Sequence, residues 1–418
     1  MDHFTHKQGV LHVEDVSVEA IAEAVGTPVY IYSRATLERH AQVFRDAVAP
    51  AGRTHVAFAV KANPNLAVLK ILAAQGYGAD VVSGGEMARA LAAGIAPGDI
   101  VFSGVGKTRD ELVAGLDAGI GQFNLELEEE GRVLGGLAAA RGQRAPATLR
   151  VNPDVDAGTH AKISTGRAEN KFGVAIDQAP AMFDRLAKEP GLNLRGVAVH
   201  IGSQLADLAP LERAFNRVGE LVAELRAAGH AISHVDLGGG LGVPYRPGET
   251  LPEPAAFGAM VARATAGWDV TLMFEPGRVI TGNAGVLLTR VIWVKPSSGH
   301  PYVIVDAAMN DLARPALYDA YHDFVAVRPT GGRMTANIAG PVCESGDTFA
   351  MGRDIETVAG GDLAVFRTAG AYGATMASTY NSRAKVPEVL VDGARFAVVS
   401  ERVTPQAILA AERIPEWL

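Results

Sequence analysis

Short apolar runs alternate with amphipathic stretches along most of this chain. Strands are predicted at residues 55–60, 79–82, 100–102, 122–125, 148–151, 196–201, 234–237 and 270–274. Several of these are apolar at consecutive positions, the pattern of a strand covered on both faces in a parallel sheet. Between them, 66–74, 85–93, 108–118, 127–141, 180–188, 208–228 and 254–266 place leucine, alanine and valine at helical intervals. Strands alternating with helices over about 230 residues have the rhythm and size of a (β/α)8 barrel. An open doubly wound sheet is the alternative. That fold opens with a glycine-rich turn, whereas Ala62, Asn63, Pro64 and Asn65 follow the first strand here.

After Arg278 the rhythm changes. Runs at 286–294, 302–305, 335–339, 362–366 and 396–399 are strand-like and are broken by Gly, Pro and Asp, with few helical patterns between them. Residues 9–13 and 29–32 are β-like as well. The expected organisation is α/β plus all-β. A (β/α)8 barrel at 34–282 stands between an N-terminal segment, 1–33, and a C-terminal β-barrel or β-sandwich domain, 283–418, which that segment completes.

Composition narrows the classes. With 418 residues the chain is too long for one ordinary core. Its net charge of −8, from 38 basic and 46 acidic side chains, argues against nucleic acid as a partner. No apolar run approaches the roughly 18 residues of a membrane span. The first residues lack an apolar stretch of signal-peptide type. The single cysteine, Cys343, allows no internal disulfide and suits a reducing compartment, so a cytoplasmic location is expected.

Lys61 is the most informative residue. It ends the wholly apolar run at 56–60, and an unpaired ammonium buried there would cost several kcal/mol. A lysine at a strand end either snorkels to solvent or serves as an amine nucleophile that forms a Schiff base. Barrels carry their reactive groups at the C-terminal ends of the strands. Read in turn, those ends offer Lys61, Asp80 and Ser83, Arg150 and Asn152, His200 and Ser203, the run Gly238–Gly240, and Glu275 with Arg278. A glycine run after a strand exposes N–H groups that can cradle a phosphate. A flat imidazole can stack on a ring, and a carboxylate can hold a protonated pyridine nitrogen. Each residue alone has a structural reading, as a core histidine or a simple turn. Together they describe a pyridoxal phosphate site.

The motifs AVKAN (59–63), HIGSQ (200–204), GGGLG (238–242), EPGR (275–278), MNDLARPALY (309–318), GPVCESGD (340–347) and GAYG (370–373) carry a resemblance from about residue 9 to the C-terminus. In them the chain resembles the barrel-type pyridoxal phosphate-dependent amino acid decarboxylases, and within these the branch acting on diaminopimelate. Phe58 stands where that family commonly has tyrosine. The resemblance implies that Lys61 holds the cofactor, that His200 stacks on its ring and that Glu275 binds its pyridine nitrogen. It also implies cofactor contacts for Asp80, Ser203, Gly239, Gly240, Gly277, Arg278 and Tyr372. Arg278, Arg314, Tyr318, Glu344 and Tyr372 would bind the amino acid substrate, and Cys343 would donate a proton. The family further implies a homodimer whose sites are shared, with Cys343 and Glu344 coming from the partner chain.

Three rivals stay open at this point. A decarboxylase for ornithine, lysine or arginine needs no arginine for a distal carboxylate. An amino acid racemase would lack the CESGD segment. A regulator that had lost the chemistry would be expected to lack Lys61 or Cys343. The polar stretch 156–171 is a candidate lid.

Overall fold

The computed structural model describes residues 2–156 and 171–418. Most of the lid candidate, 157–170, lies outside the described residues. The chain divides into two compact units, Glu38–Val243 with Thr250–Ile280, and Met1–Leu37 with Pro244–Glu249 and Thr281–Leu418.

The first unit is a closed parallel barrel. Its strands are β1 (Thr54–Ala59), β2 (Gly78–Val81), β3 (Ile100–Phe102), β4 (Gln122–Leu125), β5 (Ala145–Asn152), β6 (Leu192–Val199), β7 (His234–Asp236) and β8 (Thr271–Phe274). Each pairs with its neighbours in chain order. The pairing Leu272↔Thr54 to Phe274↔Val56 joins β8 back to β1 and closes the ring. A two-residue strand, Val174–Ala175, runs parallel beside Val151–Asn152.

Side-chain chemistry sets where several of the helices begin. Asn65 and Ser83 accept the first free N–H groups of Leu66–Ala74 and Gly84–Ala92. Thr108 and Glu111 form a reciprocal capping box at the start of Arg109–Ala118. The sequence reading missed the helix Arg34–Val48, although its buried Ala41, Phe44 and Val48 follow helical spacing. Phe44 stacks against Phe257 and meets the edge of Phe274, fixing that helix outside β8.

The barrel interior holds apolar and polar side chains together. Ala57, Val101 and Met273 form one small apolar cluster. The Nε2 of Gln122 touches the Met273 sulfur at 3.7 Å and donates to Asn124 Oδ1 at 2.8 Å. Thr148 donates to the same Asn124 oxygen at 2.5 Å. Such a buried network is tolerable because its members hydrogen-bond one another.

The second unit is built on a mixed sheet. Its order is Thr348–Glu356, Arg333–Ala339, Tyr302–Val305, Gly285–Lys295, Val29–Ser33, Glu388–Asp392, Arg395–Ser400, with Leu363–Phe366 and Phe324–Ala326 branching from Gly285–Lys295. The N-terminal strand Val29–Ser33 lies between two C-terminal ones, antiparallel to Gly285–Leu288 and parallel to Glu388–Val391. A small sheet of Phe4–Lys7, Val10–Val13 and Val16–Ser17 packs its Leu11, Val13 and Val16 into the same core as Val29, Ile31 and Val389. The N-terminal residues therefore complete the β unit. The strand Thr348–Glu356 was not predicted. Its exposed Met351 and Gly352 and half-buried Arg353 break the alternation that marks a strand.

Candidate functional site

Lys61 stands in a single tight turn, Val60–Ala62, directly after β1. Its Nζ donates to Asp80 Oδ2 at 2.8 Å, and the Asp80 side chain on β2 is fully buried. The lysine thus points at a buried acid. A cavity of about 270 Å³ opens here, lined by Lys61, Arg150, His200, Asp236 and Glu275 among others.

His200 follows β6 directly. The Gly239 N–H donates to its Nδ1 at 3.3 Å, so in the neutral ring the proton belongs on Nε2. Burial, and then the charges of Arg150 and Lys61, hold this imidazole well below its ordinary pKa. It is an uncharged flat ring at neutral pH. Arg150 is itself committed, donating to the buried Glu126 at 2.7 Å and lying over the Phe172 ring.

Glu275 follows β8. Ser103 Oγ and Asn124 Nδ2 approach its Oε1 at 3.3 and 3.4 Å. Burial, then the nearby Asp236 and Asp80, push its carboxyl well above the ordinary range. The glycine run sits beside it. A Cβ on Gly239 would lie 2.2 Å from the Glu275 carbonyl oxygen, and one on Gly240 would lie 2.4 Å from that of Gly202. Only glycine fits, and Gly240 also has φ +117°. Arg278 Nη2 donates to Ser203 Oγ at 3.0 Å. Gly277 is buried immediately before Arg278.

Two of the polar strand-end residues serve local structure. Ser83 caps its helix, and Asn152 Oδ1 accepts the Asp154 N–H at 3.0 Å. In contrast, Asp236, Asn124 and Ser103 belong to the site and were not singled out from sequence. Asp236 could have been found, because it lies two residues before the glycine run. Asn124 and Ser103 gave no local signal.

Within the β unit, Arg314 is buried at the start of the short helix Arg314–Tyr318. Its Nη1 donates to Tyr245 Oη at 2.9 Å and to His322 Nε2 at 3.1 Å. The His322 Nδ1 lies 3.0 Å from the Arg367 carbonyl, so that nitrogen carries the proton and Nε2 is free to accept. Cys343 and Glu344 are exposed on one loop, and Tyr380 Oη donates to Glu344 Oε2 at 2.8 Å. Asp347 ties that loop down, accepting the Met309 and Val342 N–H groups at 2.6 and 2.7 Å. Tyr372, on a separate turn, has φ +56°, a conformation rarely adopted by aromatic residues and more common at functional sites.

The barrel site suits a phosphorylated pyridine aldehyde. A lysine amine, a neutral flat ring, a buried acid and a glycine cradle that admits no side chain provide its attachment, stacking, ring-nitrogen and phosphate groups. Fold and site together define a pyridoxal-binding barrel protein. Residues 34–282 match the family model for the pyridoxal binding domain of pyridoxal-dependent decarboxylases. The chain is 50% identical over 420 residues, 99% of each chain, to the diaminopimelate decarboxylase of Zymomonas mobilis. It is likewise 50% identical, over 99% of each chain, to that of Pseudomonas aeruginosa. The crystal structure of diaminopimelate decarboxylase from M. jannaschii in co-complex with L-lysine superposes with a TM-score of 0.96 at 34% identity. The match covers 100% of this chain and 99% of that one. The chain belongs to the diaminopimelate decarboxylase family of pyridoxal-dependent decarboxylases.

Proposed function

We infer that this chain removes one carboxyl group from meso-2,6-diaminopimelate, releasing carbon dioxide and L-lysine, the last step of lysine biosynthesis. The observation that carries the reading is Lys61, held 2.8 Å from a buried acid at the mouth of a barrel of this family. Lys61 would hold pyridoxal phosphate through Nζ, with His200 against the ring and Glu275 at its nitrogen. Asp80 would orient the lysine. Ser203, Gly239, Gly240, Gly277 and Arg278 would bind the phosphate, with Tyr372 contributing a further contact. The bound cofactor supplies an electron sink for the pair left behind as the carboxylate departs.

The protein's own share is orientation and proton control. Arginine forks bind carboxylates bidentately, which suits Arg278 and Arg314 to the substrate's two ends. Tyr318, Glu344 and Tyr372 would complete substrate binding, with Glu344 taking the distal ammonium. Binding energy from that distal end fixes the bond to be broken in the required direction. Cys343 would return a proton to the carbon that has lost its carboxylate. We further infer a cytoplasmic homodimer with shared sites, in which Cys343 and Glu344 serve the partner chain. Their exposure on the β unit supports this. No helix among the described residues is long and apolar enough to cross a membrane.

The test is carbon dioxide release from purified protein with pyridoxal phosphate. The substrates are meso-diaminopimelate, L-lysine, L-ornithine and L-arginine. Release from diaminopimelate alone, with equimolar lysine, is expected. Release only from another amino acid would refute the substrate assignment and leave the cofactor assignment standing.

A further inference from the structure

Asp236 is the last residue of β7 and is 1% exposed. A buried carboxylate without a cation beside it needs other compensation. Among the described residues, three contacts surround Asp236. Asn124 Nδ2 donates to its Oδ2 at 3.1 Å, and the Gly238 N–H donates to its Oδ1 at 2.9 Å. Its third neighbour is Glu275: Asn124 Nδ2 also reaches Glu275 Oε1, at 3.4 Å, and both carboxyls line the same cavity. Two carboxylates this close repel each other, which favours a proton on one of them. Burial raises both above the ordinary carboxylate range. Asp80 on β2 and Lys61 beyond β1 also act on Glu275, and Ser103 offers it a neutral donor.

The backbone adds a second link. The Glu275 N–H donates to the Gly238 carbonyl at 2.8 Å, and Gly238 is the residue that Asp236 captures. Asp236 therefore links Glu275 to the glycine run.

We propose that Asp236 is a positioning residue for the cofactor's ring nitrogen, acting on Glu275 through their common donor Asn124 and through Gly238. This rests on the pyridoxal phosphate reading above. The pair would give up its proton when a ring nitrogen takes its place, to the nitrogen if that arrives neutral and to solvent if it arrives protonated. Asp236 is then ionised in both cases. Its charge then raises the affinity of the site for a protonated nitrogen and for no other ring atom.

The test uses full-length wild type and Asp236→Asn, each stripped of cofactor. Both are titrated spectrophotometrically with pyridoxal phosphate and with its 1-deaza analogue, where a C–H replaces the ring nitrogen. The substitution is expected to weaken pyridoxal phosphate about tenfold or more, one unit of lost proton affinity, and to leave the deaza analogue within about twofold. Asp236→Glu should recover part of the loss. Equal weakening of both ligands would reduce Asp236 to a structural role and overturn the proposal. An infrared difference spectrum of the wild type, cofactor-free against loaded, needs no variant. Disappearance of a protonated-carboxyl band on loading is expected, and an unchanged carboxyl region would overturn the proposal. A wild type that binds neither ligand would remove the reading of this cavity as the pyridoxal phosphate site, and this inference with it.

Discussion

Gly239→Ala tests the glycine cradle most directly, because the obstacle to a side chain there is backbone. The new Cβ would stand 2.2 Å from the Glu275 carbonyl oxygen and 2.9 Å from its carbon. An ordinary carbon–oxygen contact is about 3.3 Å or longer, so the two segments must part by about 1 Å. The hydrogen bond from Glu275 N–H to Gly238 O, at 2.8 Å, opposes that movement. Overpacking of this kind costs about 1–3 kcal/mol, seen as a fall of a few degrees in the melting temperature. The larger effect is on function. A shift of about 1 Å at a positioned acid can lower turnover about a hundredfold. The assay combines thermal melting, visible titration of pyridoxal phosphate and initial rates of carbon dioxide release. Gly136→Ala is the control. It lies within the helix Glu128–Ala139, where a Cβ would meet nothing within 4 Å, and should be neutral or stabilising. If Gly239→Ala binds cofactor and turns over as well as Gly136→Ala, the cradle argument fails.

Lys61→Ala should lose both the visible absorption of the bound cofactor and nearly all activity; an unaltered spectrum would remove Lys61 as the attachment point. Cys343→Ala should fold and load normally but turn over about 10²–10⁴-fold more slowly, as expected for loss of a general acid, and wild-type rates would take Cys343 out of the mechanism. Arg314→Lys keeps a charge but loses the fork that now engages Tyr245 and His322. The KM for diaminopimelate should rise about tenfold to a hundredfold, and an unchanged KM would dismiss Arg314 as a carboxylate ligand. Acid should destabilise the fold early. Burial, then Arg195, lowers the His234 pKa to about 4, and His200 is also held low. Below the ordinary histidine value of 6.5 the unfolded chain takes up protons that these folded imidazoles refuse. Stability is therefore present above pH 6.5 and lost as pH falls toward 4. For His234 the ceiling is about 3 kcal/mol, and about half of that after screening at this partly exposed site. Melting curves from pH 7 to pH 4 check this, and His234→Gln should flatten the slope.

Much of the barrel was legible because strand and helix periods are local properties. The run 56–60, apolar at every position, reads as a doubly covered strand and its first four residues lie in β1, and β3, β4 and the helix Leu66–Ala74 fall where the pattern puts them. The same local reading brought out Lys61, His200, the glycine run and Glu275, since each interrupts a strand end with a group unsuited to a core. Other features carried no such local mark. The strand Thr348–Glu356 was hidden by its polar centre. The sequence predicted polar residues at the barrel mouth, but not that Asp236 would line the same cavity as Glu275, or that Asn124, from the far side of the ring, would bond both. Nor did it place His322 and Tyr245 around Arg314. These pairings depend on register: on which residue of β7 lies level with which of β8, and on how closure brings β4 toward both. Hydrogen bonding between distant strands sets that register, so only the tertiary structure decided it. What the sequence determined alone was the set of chemical groups and the strand ends that carry them, because hydrophobic spacing along the chain is enough to specify both.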